Sequence, residues 1–345
     1  MKMKALPALP RKVVTSVVFV VAILLLGWLL WPESRQHAIP HPVLTPLPAS
    51  SGPIAPIPDA IPNLDPKIVA LGNTLFHETS LSHDNTIACA SCHQLAHGGV
   101  DGMKYSIGIK GQLSGINAPT VYNSGFNFRQ FWNGRAKTLQ EQVAEPIHNP
   151  LEMGSSWNEV IAKLNQDPAY VEAFSQNYKD GITPENIADA IATFVRSLIT
   201  PNSRFDKYLK GDAKAITPYE LAGYALFTGY GCISCHQGMN IGGNLFEKLG
   251  VMGDYFAERG NITEVDQGRY ALTRNPEDMH TFKVPSLRNI ALTAPYFHDG
   301  TAQTLEQAII IMGKYQLGLA LPNEDVSRIA AFLRTLTGEY NGKPL

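Results

Sequence analysis

Apolar residues recur every three to four positions in two well-separated stretches of the chain. Residues 184–198 follow the i, i+3, i+4, i+7 spacing of a helix with one buried face, and Thr183 and Pro184 are typical of its N-cap and first helical position. Residues 322–336 repeat the pattern. No stretch shows the sustained apolar and polar alternation of a half-buried strand. We therefore expect a mainly α fold with long loops fixed by glycine and proline.

The N-terminal region carries a longer apolar run. Residues 13–31 contain no charged side chain, and a helix of this length spans about 28 Å, close to the hydrocarbon thickness of a bilayer. Basic residues precede the run, so we expect a cytoplasmic N-terminus at 1–12, a transmembrane anchor at 13–31 and a periplasmic remainder on the inner membrane. A cleaved signal peptide is the alternative, although its apolar core normally spans about 7–15 residues.

Prolines then recur every few residues between positions 40 and 62. This spacing is typical of a stiff, extended segment without a core of its own. The sequence therefore predicts a Pro-rich tether over residues 32–63, with the globular part beginning near Leu64.

The globular part contains an internal repeat. Residues 117–123 (NAPTVYN) match 283–289 (KVPSLRN), and residues 131–134 (FWNG) match 297–300 (FHDG). Both pairs have the same offset of 166 positions, which chance similarity would seldom maintain. We expect two related halves.

The length of the chain agrees with this division, and its net charge bears on the possible partners. A chain of 345 residues exceeds what one ordinary core supports, so the halves are predicted as domains at 64–205 and 206–345. The 28 Lys and Arg residues against 30 Asp and Glu leave a net charge of −2, which gives no basic excess for phosphate backbones. No nucleic-acid partner is expected.

All four cysteines lie in two copies of the pattern C-x-x-C-H, one in each half. This pattern is typical of covalently bound haem c, in which two thiols bind the vinyl groups and the histidine binds the iron. A redox disulfide or half of a zinc site would explain a single copy, but not one copy per half. The sequence therefore predicts two haem c groups, held by Cys89, Cys92, His93, Cys232, Cys235 and His236.

Further blocks, at 131–136, 149–154, 294–300 and 312–318, complete a resemblance to the bacterial dihaem cytochrome c peroxidases over nearly all of residues 64–340. The resemblance implies two duplicated cytochrome c-like haem domains behind the N-terminal transmembrane helix. It also implies that the N-terminal haem reacts with peroxide and that the C-terminal haem receives electrons.

The resemblance assigns roles to further residues. It implies that Glu152 moves a proton between the two peroxide oxygens, with Gln142 as its polar neighbour. Trp132 corresponds to a residue between the haems, and Met312 to the sixth ligand of the C-terminal haem. From spacing alone, Met239 and Met252 compete with Met312 for that last role.

One calcium ion at the junction of the halves is also implied. Asn117, Thr293 and Pro295 match the family's site, and neutral oxygen ligands suit a hard cation of this size. His298 matches a family histidine near this junction, and its role stays open.

The sequence departs from the family at one position. In many members a histidine after a Ser-Ile-Gly sequence closes the peroxidatic haem until the other haem is reduced. Here Ile109 follows Ser-Ile-Gly, and isoleucine cannot bind iron. The need for reductive activation is therefore in doubt, unless His83 or His97 takes the place of the missing ligand.

These observations favour a periplasmic, membrane-anchored peroxidase that reduces hydrogen peroxide to water. The donor is expected to be a small protein such as cytochrome c, with quinol as a further possibility, and a homodimer is possible because family members are often dimers. The alternatives are an enzyme that oxidises a protein substrate, whose relatives carry a Tyr in place of Met312, and a dihaem electron carrier without peroxide chemistry.

Overall fold

The structure of the protein, a computed structural model, describes residues 52–345 and is mainly helical, as predicted. The α-helices are α1 Pro66–Phe76, α2 Cys89–Cys92, α3 Leu139–His148, α4 Trp157–Leu164, α5 Pro168–Asn177, α6 Pro184–Ser197, α7 Arg204–Leu209, α8 Pro218–Gly229, α9 Tyr255–Arg259, α10 Tyr270–Thr273, α11 Leu305–Ile311 and α12 Asn323–Arg334. Two antiparallel strand pairs join β1 Phe246–Lys248 to β2 Thr281–Lys283, and β3 Glu339–Tyr340 to β4 Lys343–Pro344.

Within residues 52–345, no helix is long and apolar enough to cross a membrane. The predicted cytoplasmic segment at 1–12, the anchor at 13–31 and the first part of the tether lie outside the described residues.

The two helices predicted from periodicity are confirmed. Helix α6 begins at Pro184, and the Thr183 hydroxyl caps it by accepting a hydrogen bond of 3.1 Å from the backbone of Asn186. Helix α12 begins directly after Pro322, which occupies its N-cap. Both helices turn their apolar face into a core.

A glycine brings each of these helices against an earlier one. A Cβ atom on Gly72 of α1 would lie 1.9 Å from the carbonyl oxygen of Ala190 in α6, and a Cβ on Gly223 of α8 would lie 1.9 Å from that of Arg328 in α12. Only glycine permits these approaches, so the two helix pairs cross in the same way.

The repeat seen in the sequence is also a repeat of backbone geometry. An isolated β-bridge joins Gln130 to Ala136 in the first half, and its counterpart joins Tyr296 to Ala302 in the second. The equivalent residues Asn123 and Asn289 both adopt left-handed backbone angles, with φ of 59° and 58°. The internal duplication is therefore real in three dimensions.

Each half has its own apolar core, and each end of the described chain contacts the core of the other half. Near the C-terminus, Tyr340 packs on the first core, with its ring 5.2 Å from that of Tyr122. Near the start, Ile54 belongs to the second core and Ile57 is fully buried. The packed structure thus begins before Leu64, because these apolar side chains of the predicted tether are buried.

Candidate active site

The first C-x-x-C-H motif forms a short helix and its exit. Cys89 and Cys92 begin and end α2, and neither is in a disulfide. The His93 ring follows, with Nδ1 hydrogen-bonded to the carbonyl oxygen of Gly99 at 3.3 Å. Burial lowers the pKa of His93 and keeps the imidazole neutral, although nearby carbonyls oppose the shift. Since Nδ1 is occupied, Nε2 is the nitrogen left for iron.

The second motif repeats this arrangement. Cys232 begins a short 3-10 helix, and the Nδ1 atom of His236 is hydrogen-bonded to the carbonyl oxygen of Ile241 at 3.3 Å. Burial lowers the pKa of His236 to about 4, so this imidazole is also neutral. Two free thiols and one oriented, neutral histidine in each half fit haem c.

Glu152 lies beside the first motif. It follows α3, and the Asn149 amide donates a hydrogen bond of 2.7 Å to its Oε1 atom. Burial raises the pKa of Glu152. This hydrogen bond and the charge of Arg135 act in the opposite direction, but their effect is smaller than that of burial. Burial also raises the pKa of Cys89 to about 12 and of Cys92 to about 11, and the neighbouring Glu152 charge adds to both shifts. The carboxyl group therefore interacts electrostatically with both thiols.

A pocket of about 330 Å³ opens beside this carboxyl group. Its lining combines Glu152 with residues of α3 and of the following loop, namely Arg135, Glu145, Pro146, His148, Asn149 and Pro150. Gln142, the predicted polar neighbour, lies half-buried on α3, but no hydrogen bond joins it to Glu152 among the described residues.

The loop that carries Ile109 forms another wall of this site. Ile109 is 4% exposed, and its Cδ1 atom would lie 2.3 Å from a Cβ on Gly154, just beyond Glu152. Ser106 of the same loop is buried beside the Cys92 thiol. This loop thus contacts the Cys92 thiol through Ser106 and the segment that carries Glu152 through Ile109.

The two histidines suggested as replacement ligands are both exposed and hydrogen-bonded elsewhere. His83 Nδ1 lies 3.1 Å from the Glu159 carboxylate, and His97 Nδ1 lies 2.7 Å from Gln94 Oε1.

Trp132 connects the halves. Its Nε1 atom donates a hydrogen bond of 2.9 Å to the carbonyl oxygen of Asn117, whose own backbone NH donates one of 2.8 Å to the carbonyl oxygen of His298. The Trp132 and His298 rings meet edge to face, with centroids 6.2 Å apart. The repeated FWNG and FHDG loops therefore contact each other at the junction.

The side chain of His298 belongs to a buried charge network that the sequence did not predict. Its Nε2 atom lies 2.7 Å from Asp266 Oδ1, and Arg259 forms ion pairs with both Asp266 and Asp299. Burial alone would raise the pKa of Asp266, but the hydrogen bonds from His298 and Arg259 hold it well below its usual range. Because Arg259 neutralises the carboxylates, this cluster is an ion-pair network rather than a metal site.

The predicted calcium ligands lie in the same junction. Asn117 is 7% exposed, and its Nδ2 atom donates to the carbonyl oxygen of Met103 at 2.9 Å, which leaves Oδ1 for a cation. Pro295 is buried and Thr293 half-buried in the loop that leads to His298.

Met312 begins a single π-helical turn, Met312–Gln316, that extends α11. Such turns are rare and are often found at functional sites. Of the competing methionines, Met252 is 62% exposed, and Met239 offers its carbonyl oxygen to Arg288. The ligand role of Met312 stays a prediction.

Comparison with known proteins identifies the family. The sequence profile described as Di-haem cytochrome c peroxidase matches residues 66–214. Cytochrome c peroxidase Ccp of Escherichia coli K12 is 51% identical over 289 residues, which cover 84% of this chain and 62% of that protein. The chain belongs to the di-haem cytochrome c peroxidase family. It follows from that membership that the chain binds two haem groups and is an oxidoreductase that acts on peroxide.

Other members support the assignment. Cytochrome c551 peroxidase of Nitrosomonas europaea is 48% identical over 294 residues, covering 84% of this chain and 86% of that protein. Among solved structures, a MauG-like protein associated with microbial copper homeostasis is 30% identical, with a TM-score of 0.73 over 82% of this chain and 95% of its own.

Proposed function

We propose that the protein reduces hydrogen peroxide to water at the haem bound by His93, with electrons from a small redox protein such as cytochrome c entering at the haem bound by His236. One observation carries this proposal. Glu152 offers a half-buried carboxyl group of raised pKa beside the first pair of haem-binding cysteines, at the edge of a pocket. A pure electron carrier has no use for such a group.

The chemistry divides between the haem and the protein. When bound, the haem supplies the iron and the electrons for cleavage of the O–O bond. Forming two waters from one peroxide consumes two protons and two electrons, and one oxygen must lose a proton while the other gains it. Because Asn149 holds Oε1 of Glu152, Oε2 is the atom left to accept and return this proton. Gln142, half-buried on α3, is proposed to orient peroxide or water there.

The raised pKa of Glu152 supports this role. An efficient proton carrier has a pKa close to the working pH, and burial moves this carboxyl group in that direction. The hydrogen bond from Asn149 keeps the group oriented, so that proton exchange needs no rearrangement of the loop.

Electron transfer is proposed to use the contact between the halves. Trp132 of the FWNG loop contacts His298 of the FHDG loop and would shorten the path between the haems of domains 64–205 and 206–345. Met312 is proposed as the sixth ligand of the second haem, because a thioether favours Fe(II) and suits an entry point for electrons.

A calcium ion is proposed at the junction, bound by Asn117 Oδ1 and the main-chain carbonyls of Thr293 and Pro295. The support is chemical, because these are neutral oxygen ligands and the Asn117 amide is already oriented by Met103. Removal of calcium with a chelator should then slow electron transfer between haems without detaching them, and added calcium should restore the rate.

We further propose that the protein is periplasmic, anchored to the inner membrane by residues 13–31, and that it forms a homodimer. The uncharged apolar run supports the anchor. Retention in the membrane fraction after a high-salt wash would support it, whereas a mature N-terminus within the Pro-rich segment would show that the run is cleaved.

Steady-state turnover tests the proposed function. Hydrogen peroxide is supplied with reduced cytochrome c, with a reduced copper protein or with quinol in vesicles, and donor oxidation is followed by absorbance. We expect two electrons consumed per peroxide with one of the protein donors. Redox cycling of both haems without peroxide consumption would instead indicate an electron carrier, and peroxide-dependent oxidation of a protein substrate without any donor would indicate the other alternative.

A further inference from the structure

Lys283 is a buried cation at the junction of the halves. It is the last residue of β2, is 7% exposed, and lies directly opposite Phe246 of β1 in the strand pair. Its backbone NH donates a hydrogen bond of 2.8 Å to the carbonyl oxygen of Trp132. The residue is therefore held firmly in place next to the proposed electron path.

The Lys283 ammonium has no protein partner. Among the described residues, no carboxylate or hydrogen-bond acceptor contacts its Nζ atom, and burial alone lowers its pKa to about 8. Arg288, another buried cation among the described residues, differs from Lys283, because it forms an ion pair of 2.7 Å with Asp206 and donates to two carbonyl oxygens. An isolated buried charge costs free energy of folding, so we expect an anion from outside the protein chain to pair with Lys283.

Within the described part of the chain, the charged groups on the neighbouring elements form no ion pair with Lys283. On β1, Glu247 lies on the opposite face with Phe282 and accepts a hydrogen bond of 2.8 Å from the backbone NH of Lys248, whose own side chain is exposed. Arg269 covers the Phe246 ring and lies 3.6 Å from an aspartate. These groups already have their own partners or face solvent.

The strand that carries Lys283 runs along the second haem motif. The Gly243 NH donates to the carbonyl oxygen of Val284 at 2.7 Å, and Ile241, whose carbonyl oxygen holds the His236 ring, also accepts from the NH of Leu287 at 3.3 Å. The haem c that this motif would hold carries two propionate carboxylates. They are the anions that the two-haem composition of the family supplies.

We propose that Lys283 binds a propionate of the haem attached to Cys232 and Cys235, and that this ion pair raises the reduction potential of that haem. A fixed positive charge near the iron stabilises the less positive Fe(II) form. The first half has no such cation at the equivalent position of the repeat, since Asn117 stands there. Lys283 is thus a positioning residue that makes the two haems unequal.

Reduction potentials of both haems in the holoenzyme test this proposal, and they do not depend on peroxide turnover. Lys283→Met should shift the Fe(II)/Fe(III) ratio of the second haem about tenfold toward Fe(III), which is a fall of about 59 mV for one electron. The first haem should change less than about twofold, and so should both haems in Lys248→Met, the control on the same hairpin. Lys283→Arg should keep the potential of the parent because it keeps the charge.

Three results would overturn the proposal: an unchanged second haem in Lys283→Met, equal shifts of both haems, or a Lys283→Arg potential as low as that of Lys283→Met. Should the Met variant not retain both haems, Lys283→Gln takes its place, because it keeps a polar side chain of similar length without the charge. The Fe(II)/Fe(III) ratio of the second haem should again shift about tenfold toward Fe(III). An unchanged ratio in Lys283→Gln would also rule the pair out.

Discussion

The backbone NH of Ile109 donates a hydrogen bond of 2.8 Å to the carbonyl oxygen of Glu152. The loop of Ile109, on which many family members have a histidine that closes the haem site, is therefore hydrogen-bonded to the loop of Glu152, the proposed proton carrier. Gly108 permits the two loops to approach this closely, because a Cβ at that position would lie only 2.0 Å from the carbonyl oxygen of Leu151. The Ile109 side chain, which cannot bind iron, is therefore held beside the proposed proton carrier.

The fully oxidised enzyme should bind peroxide or cyanide without prior reduction, because neither Ile109 nor the exposed, hydrogen-bonded His83 and His97 closes the site. Stopped-flow absorbance should show immediate binding, and turnover should begin without a lag. Only low-spin haem signals, with no reaction until one electron is added, would show that another residue closes the site.

Ile109→His should create a closed state and make turnover dependent on pre-reduction. The matched control is Ile107→His, since Ile107 is 45% exposed two residues earlier on the same loop. Electron paramagnetic resonance should show a new low-spin species in the first variant alone. The same species in both variants would mean that position 109 has no special access to the iron.

Met312→His should keep peroxide chemistry but lower the potential of the second haem, because imidazole favours Fe(III) more than a thioether does. Met252→His provides the control, as Met252 is 62% exposed. The potentials are measured by spectroelectrochemical titration. If Met252→His lowers the potential and Met312→His does not, the ligand assignment is wrong.

Asp266→Asn should lower the free energy of unfolding by about 1.5–3 kcal/mol at neutral pH, because Arg259 keeps its ion pair with Asp299 but loses its charged partner at position 266. The pKa of Asp266 is lowered in the folded state, so its contribution is present above the unfolded pKa of about 3.9 and is lost as pH falls toward the folded value. Denaturant unfolding at several pH values should therefore show the difference shrinking in acid. The exposed pair of Glu258 and Lys314 supplies the control, and Glu258→Gln should leave stability unchanged.

The pH profile of kcat/KM should carry the signature of Glu152. Below its pKa the carboxyl group is protonated and cannot accept a proton from peroxide, so the rate falls with decreasing pH. Burial raises this pKa, so the acid limb should lie above the ordinary value of about 4.3. A rate independent of pH through that region would mean that Glu152 does not titrate during catalysis.

Local patterns in the sequence predicted much of the fold and the cofactor. Periodicity and caps identified α6 and α12, and the glycines at 72 and 223 are explained by close backbone contacts. The haem motifs are short and continuous, so their chemistry can be read directly from the chain.

Features that depend on distant residues were not predictable. The partners of His298 are Asp266 and Arg259, about thirty to forty residues away without a motif of their own. Burial of Ile54 depends on a core built mainly from residues after 204, so the proline spacing nearby indicated only an extended segment. In both cases tertiary contacts decide the outcome, and no local pattern carries that information.

The most direct test of the account is peroxide turnover by Glu152→Gln, measured with reduced donor and with haem content determined on the same samples. Glu172→Gln, an exposed substitution on α5, is the matched control. We predict that Glu152→Gln retains both haems and loses roughly 10²–10⁴-fold in kcat, while the control keeps the parent rate. A Glu152→Gln rate within a few-fold of the parent would contradict the account, because the proton would then travel by another route.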